Sequence, residues 1–208
     1  MLTFDRAQVT ERIVVLPKQL RIAFAAACTQ RLLPKSIGKS AVNSRERPES
    51  AMRMLRELWD GVEQDAFDPK NLRRDFAACE ALVAEYERGP NCADSEIDED
   101  AILSLAHALN TALSGSSHDA MLAAESAYNA LDDYIIQRFD VDVNTPGVQS
   151  LIDSFPVMQA ELSRQQADLA ELHAAAKNPG SEAAVITRIR RRAERDAISF
   201  FGSPSPRG

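Results

Sequence analysis

The chain has 208 residues, 45% of them apolar and 26% charged, a composition that excludes intrinsic disorder and gives enough chain to close a core without disulfide or metal staples. Its net charge of −7 opposes sequence-independent binding to nucleic acid and to anionic membranes, because both polyanions repel the average surface. Three cysteines are an odd number, so no disulfide framework is expected. The first twenty residues are interrupted by charges, and no apolar run reaches the roughly 20 residues of a membrane span; the expected compartment is the cytosol.

Glycine is scarce, and Ala, Leu, Glu, Arg and Gln fill long stretches, a mixture of strong helix formers poor in β-branched clusters. A first helix is expected around Phe4 to Val15. Pro17 then sits in the first turn of a second, whose Leu20, Phe24 and Ala27 repeat at helical spacing until Pro34 closes it. Residues 35–47 are polar and predict a loop. Pro48 opens the next helix, with Ala51, Leu55, Leu58 and Val62 on one stripe, Trp59 beside it, and Gly61 weakening its end.

Asp68 and Pro69 form a cap-and-proline start for a helix carrying Leu72, Phe76, Cys79, Val83 and Tyr86, ended by Gly89 and Pro90. Asp94 or Ser95 caps the following helix, which buries Ile102, Leu105, Leu109 and Ala112 before Gly115 stops it. Met121, Ala124, Tyr128, Leu131 and Ile135 mark a helix from about Ser117 to Arg138. Thr145 and Pro146 begin a short helix to Ser154, Ser154 caps a longer one from Pro156 to Ala176, and Ser181 starts the last, to about Phe200. The fold expected is all-α, a single-domain irregular bundle of seven or eight helices over residues 1–201, with a disordered tail at 202–208.

Catalytic side chains are few. His107, His118 and His173 lie in three separate segments. Asp100 and His107 share a helix face, as do His118 and Glu125, so a carboxylate–imidazole site between adjacent helices is one alternative. The Glu-x-x-His pairs of di-iron bundles are missing, as are Cys-x-x-Cys, His-Glu-x-x-His and Gly-x-Ser-x-Gly. Gly38-Lys39-Ser40 lacks the upstream glycine of a phosphate loop. Asp132 and Asp133 are adjacent on a helix, point about 100 degrees apart and cannot share one ion unaided. No catalytic residue, cofactor or metal is assigned.

Two charge clusters have opposite sign. Asp94, Glu96, Asp98, Glu99 and Asp100 make an acidic edge, the candidate surface for a partner. Arg188, Arg190, Arg191, Arg192 and Arg195 make a basic cluster on the last helix, without the interleaved aromatic residues that stack bases. Salt bridges to the acidic body account for it more simply.

The stretches LPKQLRIAFAAACTQRLLP, RMLRELWDGV, EDAILSLAHALNTALSG, AAESAYNALDDYI and VMQAELSRQQADLAEL follow one another between Leu16 and Leu172. In order and spacing they resemble the YjaG-like bacterial family of domain of unknown function 416. The markers are Arg31-Leu32-Leu33-Pro34, Trp59, Glu99-Asp100-Ala101, and Glu161 with Gln165 and Asp168. Lys35, Ser36 and Ile37 stand where aromatic and Asn residues often follow that proline. The resemblance implies an all-helical cytosolic bacterial protein and carries over no catalytic residue.

The function expected is therefore a non-catalytic protein-interaction module that binds a protein with a basic surface, an immunity or antitoxin-like partner of a toxin being one form of it; homo-oligomerisation is compatible with it. The alternatives are an enzyme or ligand binder using Asp100, His107 and Glu125, and a nucleic-acid-associated regulator acting through the arginine helix.

Overall fold

The computed structural model describes residues 1–39, 46–86, 93–178 and 180–200, with side chains outside the description at 34–39, 46–48, 93–96 and 198–200. Among the described residues there are nine helices and no strands: α1 (Arg6–Val14), α2 (Lys18–Lys39), α3 (Glu46–Gln64), α4 (Pro69–Tyr86), α5 (Ala93–Ser114), α6 (Ser117–Phe139), α7 (Val148–Ser154), α8 (Pro156–Ala176) and α9 (Glu182–Phe200). The count exceeds the expected total of seven or eight, although the segments taken one by one along the sequence already number nine.

Helix α2 is the axis of the bundle and packs against α3, α5, α6, α8 and α9. From Ile22 to Leu33 every residue is buried, which is how a helix apolar on all sides must sit. Ala23, Ala25, Ala26 and Ala27 on α2 meet alanine-rich faces of α5 and α6 in the same core, and these small side chains let the helix axes approach. The main core draws on α1 to α6, α8 and α9. A smaller cluster of Leu131, Ile135, Ile152, Met158 and Leu162 joins α6, α7 and α8. No described helix is long and apolar enough to cross a membrane.

The apolar stripes follow the sequence pattern: Ala51, Leu55, Leu58, Trp59 and Val62 on α3, and Ile102, Leu105, Leu109 and Ala112 on α5, are all buried. The ends differ from expectation in four places. Helix α2 passes through Pro34 to Lys39, because a proline forfeits one ladder hydrogen bond but leaves later residues free to continue. Helix α5 begins at Ala93, ahead of both expected caps. Helix α7 starts after Gly147 rather than at Thr145, whose carbonyl accepts from the Val148 N–H at 3.0 Å. Ser154 does not cap α8; its hydroxyl donates back to the Leu151 carbonyl at 2.6 Å. Gly89, Pro90 and the tail at 202–208 lie outside the described residues.

Helix α3 ends in a left-handed cap. Asp65 has φ 49°, the Ala66 N–H donates to the Gly61 carbonyl at 3.0 Å and the Asp65 N–H to the Val62 carbonyl at 3.4 Å, the two bonds of a Schellman motif. The chain then turns Phe67 back over Gly61, where an added Cβ would lie 2.4 Å from the ring.

Candidate functional site

Polar residues on the buried face of α2 need partners, since an unpaired buried polar group costs free energy comparable to a lost hydrogen bond. Each has one. Thr29 shares a hydrogen bond with Ser104 at 2.9 Å, and Ser104 donates to the Ala123 carbonyl at 3.0 Å. The Trp59 indole N–H donates to Gln30 Oε1 at 3.2 Å.

Arg31 makes the larger construction. Its Nε and Nη2 donate to the two oxygens of Glu161 at 2.7 and 2.8 Å, and Nη1 donates to Asp168 Oδ2 at 2.8 Å. Gln165, between the two acids on α8, donates to Glu161 Oε1 at 3.0 Å and to the Ala124 carbonyl at 3.2 Å. From α9, Arg192 donates to the second oxygen of Asp168 at 2.6 Å and pairs with Glu171, which also accepts from Arg188 at 2.9 Å. Burial alone would lower the Arg31 pKa, but Glu161 and Asp168 raise it well above the ordinary arginine value. Burial also pushes the neighbouring Cys28 thiol up, so that sulfur is protonated and inert. The network is charge-balanced and locks α2, α8 and α9 in register.

A cleft of about 270 Å³ opens instead between α3 and α4. Met54, Leu58, Leu72 and Leu109 form its apolar floor, Gly61 and Phe67 one end, and Glu57, Asp60, Asp68 and Asp75 its polar wall; no described Lys or Arg lines it. The Asp75 carboxylate is buried on the same stripe as Leu72 and Cys79 and accepts from Arg74 at 2.9 Å, with Arg53 at 3.6 Å. Arg53 also pairs with Glu57, and Arg190 with Asp60. These cations stand outside the lining, and Asp68 Oδ1 accepts from the Lys70 N–H at 2.9 Å at the start of α4. Burial, reinforced by Asp75 and Glu80, pushes the Cys79 thiol up to about 12.

The residues expected to matter are distributed as follows. Asp98 is buried. Glu99 and Asp100 are half-buried and engaged within the fold, and the side chains of Asp94 and Glu96 are outside the described set. His107 faces Asp119, at 3.6 Å, and Glu125 is held by Arg6. Among the described residues no group of three or more His, Cys, Asp or Glu side chains is placed to hold a metal ion. Of the arginine cluster, Arg188, Arg190 and Arg192 are taken up by Glu171, Asp60, Glu63, Glu194 and Asp168, and Arg191 and Arg195 are exposed. Asp132 accepts from Gln149 at 3.0 Å. Gly38 and Lys39 are in α2, and Ser40 is outside the described residues. Cys28 and Cys79 are free and buried; Cys92 is outside the description.

The pairing of Arg31 with α8, and the place of Asp75 in the cleft, were not read from the sequence. One signal was present for each. Glu161, Gln165 and Asp168 step by four and three along the stripe that carries Leu162, Leu169 and Leu172, and Asp75 stands three and four residues from Leu72 and Cys79.

A family model described as protein of unknown function (DUF416) matches residues 8–202. Among solved structures, the crystal structure of a DUF416 family protein from Shewanella baltica OS155 superposes with a TM-score of 0.69 at 19% sequence identity, covering 89% of this chain and 93% of that one. No curated protein matches the chain.

Proposed function

The chain belongs to the DUF416 family of proteins of unknown function, and on that premise we propose that it is a non-catalytic cytosolic module that docks a protein partner through a basic side chain or segment. The observation that carries this is the α3–α4 cleft, lined by Met54, Leu58 and Leu72 together with Glu57, Asp60, Asp68 and Asp75; Asp75 is buried on Arg74 and Asp68 accepts from the Lys70 N–H, so Glu57 and Asp60 are the acids at its mouth. An arginine or lysine entering it lays its methylene stem on Met54, Leu58 and Leu72 and its charged head against the acids. Glu57 and Asp60 exchange exposed intramolecular pairs, each worth about 1 kcal/mol or less, for a partner's cation. The net charge of −7 favours the same class of partner and speeds its encounter. A toxin whose basic surface is covered by such a module is one partner of this chemistry.

The arginine helix gives less support to a nucleic-acid role, because Arg188, Arg190 and Arg192 already have carboxylate partners within the fold. The test is co-purification from the native cytosol of tagged wild type and of a Glu57→Gln/Asp60→Asn chain. A stoichiometric protein retained by the wild type and lost by the variant supports the proposal. A protein held equally by both, or a tightly held metal with no protein, refutes it.

A further inference from the structure

A second surface, remote from that cleft in the chain and independent of it, already holds a peptide. Residues 1–5 have no regular structure and lead into α1. Leu2 and Phe4 are half-buried while Thr3 and Asp5 are exposed, the alternation of an extended segment lying on a surface. The surface is the groove between α6 and α8. Gln159 clamps the Leu2 backbone from both sides, accepting from its N–H at 2.9 Å and donating to its carbonyl at 2.7 Å. Those bonds ignore the Leu2 side chain. The Phe4 ring stacks on Tyr128 with centroids 5.2 Å apart and planes at 25°. Arg6 makes a two-point pair with Glu125.

The receptor side is held by contacts that do not involve the arm. The Tyr128 hydroxyl donates to Asp153 Oδ1 at 2.7 Å and accepts from Gln149 at 2.6 Å, and Gln159 is oriented by donating to the Asp153 carbonyl at 2.7 Å. The arm is held far less firmly. Within α1 only Ile13 is buried, Arg6 is 65% exposed, and a nine-residue helix is marginal on its own. A void of about 20 Å³ remains where the arm meets Leu162 and Leu169. Such an element opens locally at a fraction of the global unfolding free energy.

We propose that the α6–α8 groove is a peptide-docking site whose resting occupant is the chain's own N-terminal arm, displaced by a partner segment of the pattern apolar-x-aromatic-x-basic. Gln159 takes the backbone, Tyr128 the aromatic ring and Glu125 the cation. The arm acts as a built-in competitor, and a groove closed about nine-tenths of the time weakens an external peptide about tenfold.

The probe is a fluorescent peptide copying residues 1–8, titrated by anisotropy into three full-length chains: wild type, Phe4→Ala/Arg6→Ala, and the latter with Gln159→Ala added. The arm variant is expected to bind at least about tenfold more tightly than wild type, and Gln159→Ala to remove most of that gain. No binding to any chain, or binding indifferent to the arm and to Gln159, overturns the proposal. Circular dichroism establishes that each variant is folded. Hydrogen exchange on the wild type gives a second readout that needs no variant. Amides of residues 2–9 are expected to exchange at least about tenfold faster than those of α6, and equal protection overturns the proposal as well.

Discussion

Arg31 on α2 and Glu161 on α8 form a two-point guanidinium–carboxylate pair in which both side chains are almost wholly buried, 3% and 2% exposed. Such a pair adds little net stability, because desolvating two ions offsets their attraction, yet breaking it leaves a charge stranded. Arg31→Met is therefore expected to lower the unfolding free energy by about 3–5 kcal/mol, since Glu161 and Asp168 lose their shared cation. The triple variant Arg31→Met/Glu161→Leu/Asp168→Leu removes the stranded charges, and Arg192, partly exposed, can turn to solvent. Most of the loss should return. Urea unfolding of the two chains checks this, and a triple variant less stable than the single one would sink the account.

Gly61 and Phe67 supply a prediction whose size depends on context. Replacing a helical glycine by alanine ordinarily gains about 1 kcal/mol. Here the new Cβ would lie 2.4 Å from the Phe67 ring, and overpacking of that kind costs about 1–3 kcal/mol. Gly61→Ala should therefore be net destabilising in the wild type and clearly less so in a Phe67→Ala background, where the Ala66 carbonyl, 3.1 Å from the new Cβ, is the close contact that remains. A double-mutant cycle of thermal unfolding reads the coupling, and additivity within about 0.5 kcal/mol contradicts the contact.

Four residues further on, Asp65 occupies the left-handed position of the α3 cap with φ 49°, a conformation that disfavours any residue with a Cβ. Its backbone N–H and that of Ala66 close the Schellman bonds, and these do not depend on the side chain. Asp65→Gly is expected to raise stability by about 0.5–1 kcal/mol, after allowance for glycine's larger entropy in the unfolded chain. An unchanged or lower melting temperature would show that the carboxylate contributes more than its backbone strain costs.

The helices were legible in the sequence because one stripe of three- and four-residue steps decides each of them locally; α3 and α5 bury the expected sets residue for residue. The ends were less legible. Whether Pro34 stops α2, or Ser154 rather than Phe155 precedes α8, depends on small local preferences that packing overrides. The site was least legible of all. Arg31 and Glu161 are 130 positions apart, and the order of residues along one helix cannot tell which acid on another helix meets a given arginine. The cleft depends in the same way on how α3 and α4 lie over Leu109 of α5. The signal that went unused was the polar residue out of place, Asp75 or Asp168 on a stripe of leucines, because a buried charge must be paired somewhere.

Stability should fall on mild acidification, and His107 and His173 are the expected cause. Burial lowers the pKa of His107 below its ordinary 6.5, and the attraction of Asp119 only partly opposes it, with His118 adding to the lowering and Glu125 opposing it. Burial also lowers His173, helped by the charges of Arg12 and Lys177 and partly opposed by a hydrogen bond to the Arg12 backbone; its Nε2 is buried without a hydrogen-bond partner. In both cases the folded value lies below the unfolded one. As pH falls through about 6.5 the unfolded chain takes up protons that the folded chain refuses, so the folded state loses ground. The loss continues until pH passes the depressed folded values, where both states are protonated and the difference stops growing. Stability is thus full above about pH 7 and declines below pH 6.5. Urea midpoints at pH 7.5, 6.5 and 5.5 should show this decline in the wild type and a flatter profile in His107→Gln/His173→Gln. Equal midpoints in the wild type at all three values, or an unchanged slope in the double variant, would remove the histidines from the explanation and leave the carboxylates, Glu171 among them, to account for acid sensitivity at lower pH.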